Sequence, residues 1–228
     1  MSAPLGTAAA PLSRRLREET REVHEHVEQG AAFNRLIVVR LPADGADPRV
    51  ARAREEYREA YRRFLIASRG FEAAVNVALR LSPALGDAQQ SGWSEETADP
   101  VALIDADLGH VFGMRDGVAL PAMDALPVPR TLSAFAGVEY VRSGSRAGGA
   151  VIGAVVRHNL RLDEHAGATF LCRYGRGTRA LLETMRAWLD GLALDAREAD
   201  EAVRAAQATF VAVGRWHATL DEAFARGR

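Results

Sequence analysis

Tyr140-Val141-Arg142-Ser143-Gly144-Ser145-Arg146-Ala147-Gly148-Gly149 places three glycines within six residues, inside a pattern that otherwise reads as helix from Thr131 to about Leu160. A glycine in a helix costs roughly 1 kcal/mol relative to alanine, because more backbone freedom is lost on folding. Three of them need a physical reason. One is close approach of a flat ligand or another backbone, where any Cβ would collide. Another is a bend that turns backbone groups toward a cavity. Tight helix–helix packing through small residues is the plain structural alternative, and spacing alone does not choose between them.

Outward from this stretch the chain keeps reading as helix. Upstream, Gly113 to Pro129 carries Asp116-Gly117, Pro121 and Pro127 and reads as a connection. Asp99-Pro100 is a cap followed by a first-turn proline, and it opens a helix with Leu103, Ile104, Leu108 and Val111 as its apolar set. Gly86 to Trp93 reads as loop. Asp47-Pro48 opens a long helix ending near Pro83, with Tyr57, Tyr61, Phe64 and Leu65 on one face and Gly70 as a candidate bend. Leu41 to Asp47 is a loop. A first helix is expected from Ser13 to about Gln29, with Leu16, Thr20, Val23 and Val27 inward. Downstream, helices are expected over about Thr178 to Leu192 and Asp195 to Phe224. No internal repeat, heptad run or strand pattern stands out. The expectation is an all-α fold of about seven helices: a disordered tail over residues 1–12, then one domain over 13–228.

Composition agrees. The 228 residues are 48% hydrophobic and 26% charged, enough for one sizeable core. The formal net charge of −1 gives no electrostatic footprint for nucleic acid. All 29 basic residues counted as Lys or Arg are arginine. Cys172, the single cysteine, cannot form an internal disulfide and reads as a small buried hydrophobe. Met1 to Leu12 lacks the basic start and apolar stretch of a signal peptide. The longest uncharged apolar run, Ala147 to Val156, is too short to span a bilayer. The expected location is therefore the cytoplasm, with no membrane partner.

The Tyr140 to Gly149 stretch resembles the distal-helix signature of bacterial haem oxygenases: Tyr-Val, two variable residues, Gly-Ser, two variable residues, Gly-Gly. Leu16-Arg17-Glu18-Glu19-Thr20-Arg21-Glu22-Val23-His24 resembles that family's proximal-helix motif, in which Leu, Thr and a closing His keep this spacing. Weaker likenesses follow in order: Leu103, Asp105, Asp107 and Leu108; Phe170, Tyr174-Gly175 and Thr178; and Ala205-Ala206, Thr209-Phe210 and Trp216. Helical geometry does not choose between His24 and His26. The motif register chooses His24.

What the resemblance implies is specific. His24 is the metal ligand to haem iron. Glu28, one helical turn on, orients its second nitrogen. Gly144, Gly148 and Gly149 bring bare backbone over the opposite face of the ring, with Ser145 where mammalian-type members carry an aspartate that organises proton-delivering water. Arg17, Tyr140, Arg142 and Phe210 complete the expected haem-binding set; Arg173 and Arg176 lie near a second basic cluster without a residue-by-residue match. Haem b is then both substrate and cofactor, opened to biliverdin, CO and iron with O2 and external electrons. No flavin or nicotinamide motif is present in the sequence, so the implied donor is a ferredoxin or flavoprotein reductase, and a bilin-accepting partner could take the product. Two other readings keep the helices and drop the reaction: a haem-binding sensor or carrier, and a non-haem protein of the wider fold.

Overall fold

The computed structural model describes residues 10–28, 31–42, 47–95, 97–115, 117–163, 166–173 and 175–226, apart from the side chains of residue 28, residues 31–34 and residues 147 and 176. The described residues form ten α-helices and one short 3-10 turn, with no strand. The expectation of about seven helices was therefore too low. Most of the tail expected over residues 1–12 lies outside the described residues; Leu12 already begins the first helix and is buried.

The additional helices come from short elements and one interruption. The expected first helix is two, α1 (Leu12–Glu19) and α2 (Arg21–Glu28), parted at Thr20. Thr20 sits at φ −104, ψ −1, at the margin of the right-handed helical region, and its Oγ1 donates back to Leu16 O at 2.6 Å. Two short helices were not anticipated: α3 (Ala31–Val38), ahead of the Leu41 loop, and α5 (Leu85–Gln90), in the segment read as loop. A third such helix, α8 (Thr169–Cys172), comes later in the chain.

The long elements follow their caps. α4 (Pro48–Arg80) starts where the Asp47 carboxylate accepts from the Arg49 N–H. In α6 (Pro100–Phe112), Asp99 does the same for Val101, and Gly113 closes the helix in the left-handed region at φ 65. α7 (Leu132–Leu160) begins with Thr131 capping Ala134 and runs unbroken through its glycines. After the Gly175–Gly177 turn come α9 (Thr178–Gly191) and α10 (Ala196–Arg226).

α7 and α10 cross at the centre of the molecule. A Cβ on Gly137 would stand only 2.1 Å from Ala202 O, so glycine is what lets these helices meet. Gly70 is a second close approach: its missing Cβ would lie 2.6 Å from the indole of Trp216, whose Nε1 donates to Ala67 O. α4 is thereby docked on α10. Phe135, Leu65, Leu79, Ile104 and Leu189 fill the core between these layers.

Candidate functional site

One cleft gathers the chemistry. It is bounded by α2 (His24, Val27), α4 (Phe64 to Glu72), α7 (Val141 to Ile152), the α8 region (Phe170 to Arg173) and α10 (Phe210, Val213, His217). Its empty space, open mouth included, is about 890 Å³.

His24 lines the cleft from the first turn of α2. The His24 N–H still bonds Thr20 O at 3.0 Å, so α2 begins directly beneath the interruption. The His24 ring meets Phe210 edge-on, with centroids 5.1 Å apart and planes at 64°. His26 is exposed and does not line the cleft among the described residues. The expectation for Glu28 falls on a side chain outside the described residues.

The α7 glycines divide by function. Cβ atoms built on Gly144 and Gly148 meet nothing within 4 Å, and both residues line the cleft. No neighbouring helix demands glycine there. Gly149 and Gly153 are different: their Cβ atoms would lie 3.3 Å from Leu171 O and 2.8 Å from Cys172 Sγ, so they seat α8 against α7. Asp107 holds α8 in place, its two carboxylate oxygens accepting from Thr169 N and Oγ1 and from Phe170 N. The choice between packing and open platform thus resolves within one stretch. Gly149 belongs to packing, although it also borders the cleft. Ser145 lines the cleft, and its hydroxyl donates to Arg142 O at 2.7 Å, leaving oxygen lone pairs for a water.

Three expected contacts are placed elsewhere. Arg142 is not in the cleft lining but buried beneath it, 3.4 Å from Glu72 and 3.7 Å from Glu139. A guanidinium held between two carboxylates is engaged in the protein's own ion pairs. Tyr140 is half-buried and faces Thr20; burial raises its phenol, while a hydrogen bond with Thr20 and the charges of Arg17 and Arg186 oppose the rise. Tyr140 and Arg17 both lie outside the lining of the cleft.

Sequence reading missed Arg186, which joins Arg17 near Tyr140, and His217, which lines the cleft from α10. It also missed the carboxylates of the buried ionic cluster, Glu72 on α4 and Glu139 on α7. Glu72 pairs with Arg173 at 3.7 Å and Glu139 with Arg146 at 3.8 Å. An acid amid an apolar helical face was the available signal for Glu72. Among the described residues, no three or more His, Cys, Asp or Glu side chains come together to hold a bare metal ion.

No family model matches the chain, and no curated protein sequence matches it. Solved structures do. The NO- and CO-bound haem oxygenase of Neisseria meningitidis superposes with a TM-score of 0.68 at 18% identity, over 93% of this chain and 92% of that one. This chain has the haem-oxygenase fold. Haem oxygenase-2 of Synechocystis, solved with haem and NO, gives 0.68 at 18% identity over 93% and 86% of the two chains. The haem oxygenase of Leptospira interrogans gives 0.67 at 18% over 91% and 98%. The haem-oxygenase fold thus extends over nearly the whole chain, at a sequence distance where it shows architecture rather than activity. No helix among the described residues is long and apolar enough to cross a membrane.

Proposed function

We propose that this protein is a haem oxygenase that binds haem through His24 and opens it to biliverdin. The observation that carries this reading is the pairing of two features in one cleft: an imidazole from α2, and α7 backbone at Gly144 and Gly148 whose missing Cβ atoms leave open space. A flat macrocycle fits such a cradle, and a methyl group at either glycine would intrude on it. Phe64, Phe71, Phe210 and Val213 supply apolar walls for its faces.

When bound, haem supplies both the iron that activates O2 and the carbon skeleton that is cleaved to biliverdin and CO. The protein's tasks are those of position and polarity. His24 holds the substrate by its metal, and the Phe210 edge restrains the imidazole's orientation. Gly144 and Gly148 would admit the ring close to main chain, with no side chain of their own between. Ser145, its proton committed to Arg142 O, accepts a hydrogen bond from water and holds that water in the cleft as a proton source. Electrons come from a separate ferredoxin or flavoprotein reductase, and a bilin-accepting partner would take up the product.

The test is turnover. Protein loaded with haem is given O2 and a reductase or ascorbate, and products are separated by HPLC. Decay of the Soret band with growth of biliverdin is expected. A Soret band that persists under these conditions would make the protein a haem carrier or sensor. Failure to take up haem would leave a non-haem protein of the same fold.

A further inference from the structure

A second groove lies along a different face of α10 from the cleft. Its empty space, open mouth included, is about 1670 Å³. One wall is α10, at Glu201, Ala205, Ala208, Ala212, Arg215 and Thr219, spaced three or four residues apart on one helical face. Phe210, Val213 and His217 serve the cleft from another. The floor is the start of α7, at Ala134 and Val138. The second wall is the chain from Ala122 to Arg130, part of the connection between α6 and α7.

That connection has an unusual wall to offer. From Val118 to Arg130 it is neither helix nor strand, and none of its residues has a positive φ. Its apolar side chains turn inward at every third position: Leu120 is half-buried, and Met123, Leu126 and Pro129 are buried. A three-residue repeat together with Pro121, Pro127 and Pro129 is the pattern of a polyproline II strap, which forms no internal hydrogen bonds. Among the described residues, the main chain from Ala119 to Val128 bonds to nothing, and only Pro129 O is taken, by Ser82 Oγ. An open row of amide groups therefore runs along a floor of small apolar side chains.

Length and charge narrow the occupant. Ala122 to Arg130 covers about 25 Å as polyproline II, and Glu201 to Thr219 covers about 27 Å of α-helix. Ser133 Oγ donates to Glu201, which sets the Arg130 end of the strap at the Glu201 end of α10. The charged lining side chains are two acids, Asp124 and Glu201, and two arginines, Arg130 and Arg215. No sign prevails, so neither nucleic acid nor an anionic membrane is favoured. Main-chain donors and acceptors repeated over such a length are matched by another main chain, not by a compact small molecule. Alanine at 134, 205, 208 and 212 leaves room for it, and Val211 at the rim is apolar yet exposed. We propose that this groove binds an extended, uncharged segment of a partner protein, about eight residues long, laid between the strap and α10 and paired with the strap's main chain. Binding there does not require haem in the cleft.

The experiment selects random peptides of about that length, displayed on phage, on the wild-type protein. Enriched sequences are synthesised with blocked ends, and their binding is read by fluorescence anisotropy. Uncharged sequences of small apolar residues should be enriched. Ala208 is exposed, so Ala208→Trp should fill the groove without unfolding the chain, which circular dichroism checks. It should weaken binding by about tenfold or more, while Ala208→Ser should not. N-methylation of alternate peptide amides should also abolish binding, a measurement that needs no protein variant. No enrichment, enrichment of peptides of one charge sign, equal affinity for Ala208→Trp, or indifference to N-methylation overturns the inference. A dimer in light scattering that Ala208→Trp breaks would give the groove to a second copy of the chain and overturn it as well.

Discussion

At the scale of single residues, His217 gives the protein a titrating liability. Burial lowers its pKa below the ordinary 6.5, with Asp221 pulling the other way. The unfolded chain therefore binds more protons than the folded one between the two values, and stability falls as pH drops through that window. Above about pH 6.5 the imidazole is neutral in both states and the effect vanishes. His217→Phe should flatten this acid limb in urea titrations between about pH 7 and 5; an unchanged slope would mean the ring charges freely in the fold. Residue identities near the cleft were only partly legible in the sequence. Motif register separated His24 from His26, which helical geometry could not. Arg142 was beyond reach, because its partner Glu72 lies on another helix and nothing local announces that α4 will bring a carboxylate beneath α7.

Among the elements, α7 carries the sharpest contrast. Ala at Gly144 or Gly148 meets open space, so either substitution should stabilise the apoprotein by about 0.5–1 kcal/mol through helix propensity while weakening haem uptake. Thermal melts and haem titrations read the two effects separately. Stabilisation with undiminished uptake would remove these glycines from the site. Gly137→Ala should do the opposite, destabilising by several kcal/mol, because its methyl would drive into Ala202 O on α10. Boundaries of α4, α6 and α7 were legible because Asp47, Asp99 and Thr131 cap them with side-chain oxygens. α5 and α8 were not. Each is short, and neither has a side-chain cap of its own residue; α8 is capped from a distance by Asp107. The same spacing of glycines served packing at Gly149 and open space at Gly148, a difference made by α8 and invisible along the chain.

Across the whole molecule, a buried ionic cluster ties three layers together along one wall of the cleft, with Glu72, Arg146 and Arg173 in the lining. Glu72 from α4 meets Arg142 from α7 and Arg173 at the end of α8, while Glu139 meets Arg142 and Arg146 and accepts from Ser143 Oγ at 2.6 Å. Such a cluster is poor evidence of net stability, since desolvation offsets attraction, but removing one member strands buried charge. Glu72→Ala should therefore cost about 3 kcal/mol in urea unfolding. A loss below about 1 kcal/mol, the size of an exposed pair, would show that the cluster is solvated. The overall architecture was legible from helical patterning and the two helix motifs, whereas the cluster that supports the cleft depends on contacts between elements far apart in sequence.

The most direct test of a haem site between residue 24 and the α7 glycines is a spectroscopic haem titration of wild type and His24→Ala, each shown by circular dichroism to be folded. The expected result is a saturable Soret band in the wild type with the signature of imidazole ligation, which His24→Ala loses and added free imidazole restores. Superimposable spectra for the two proteins, or no saturable uptake by the wild type, would contradict it.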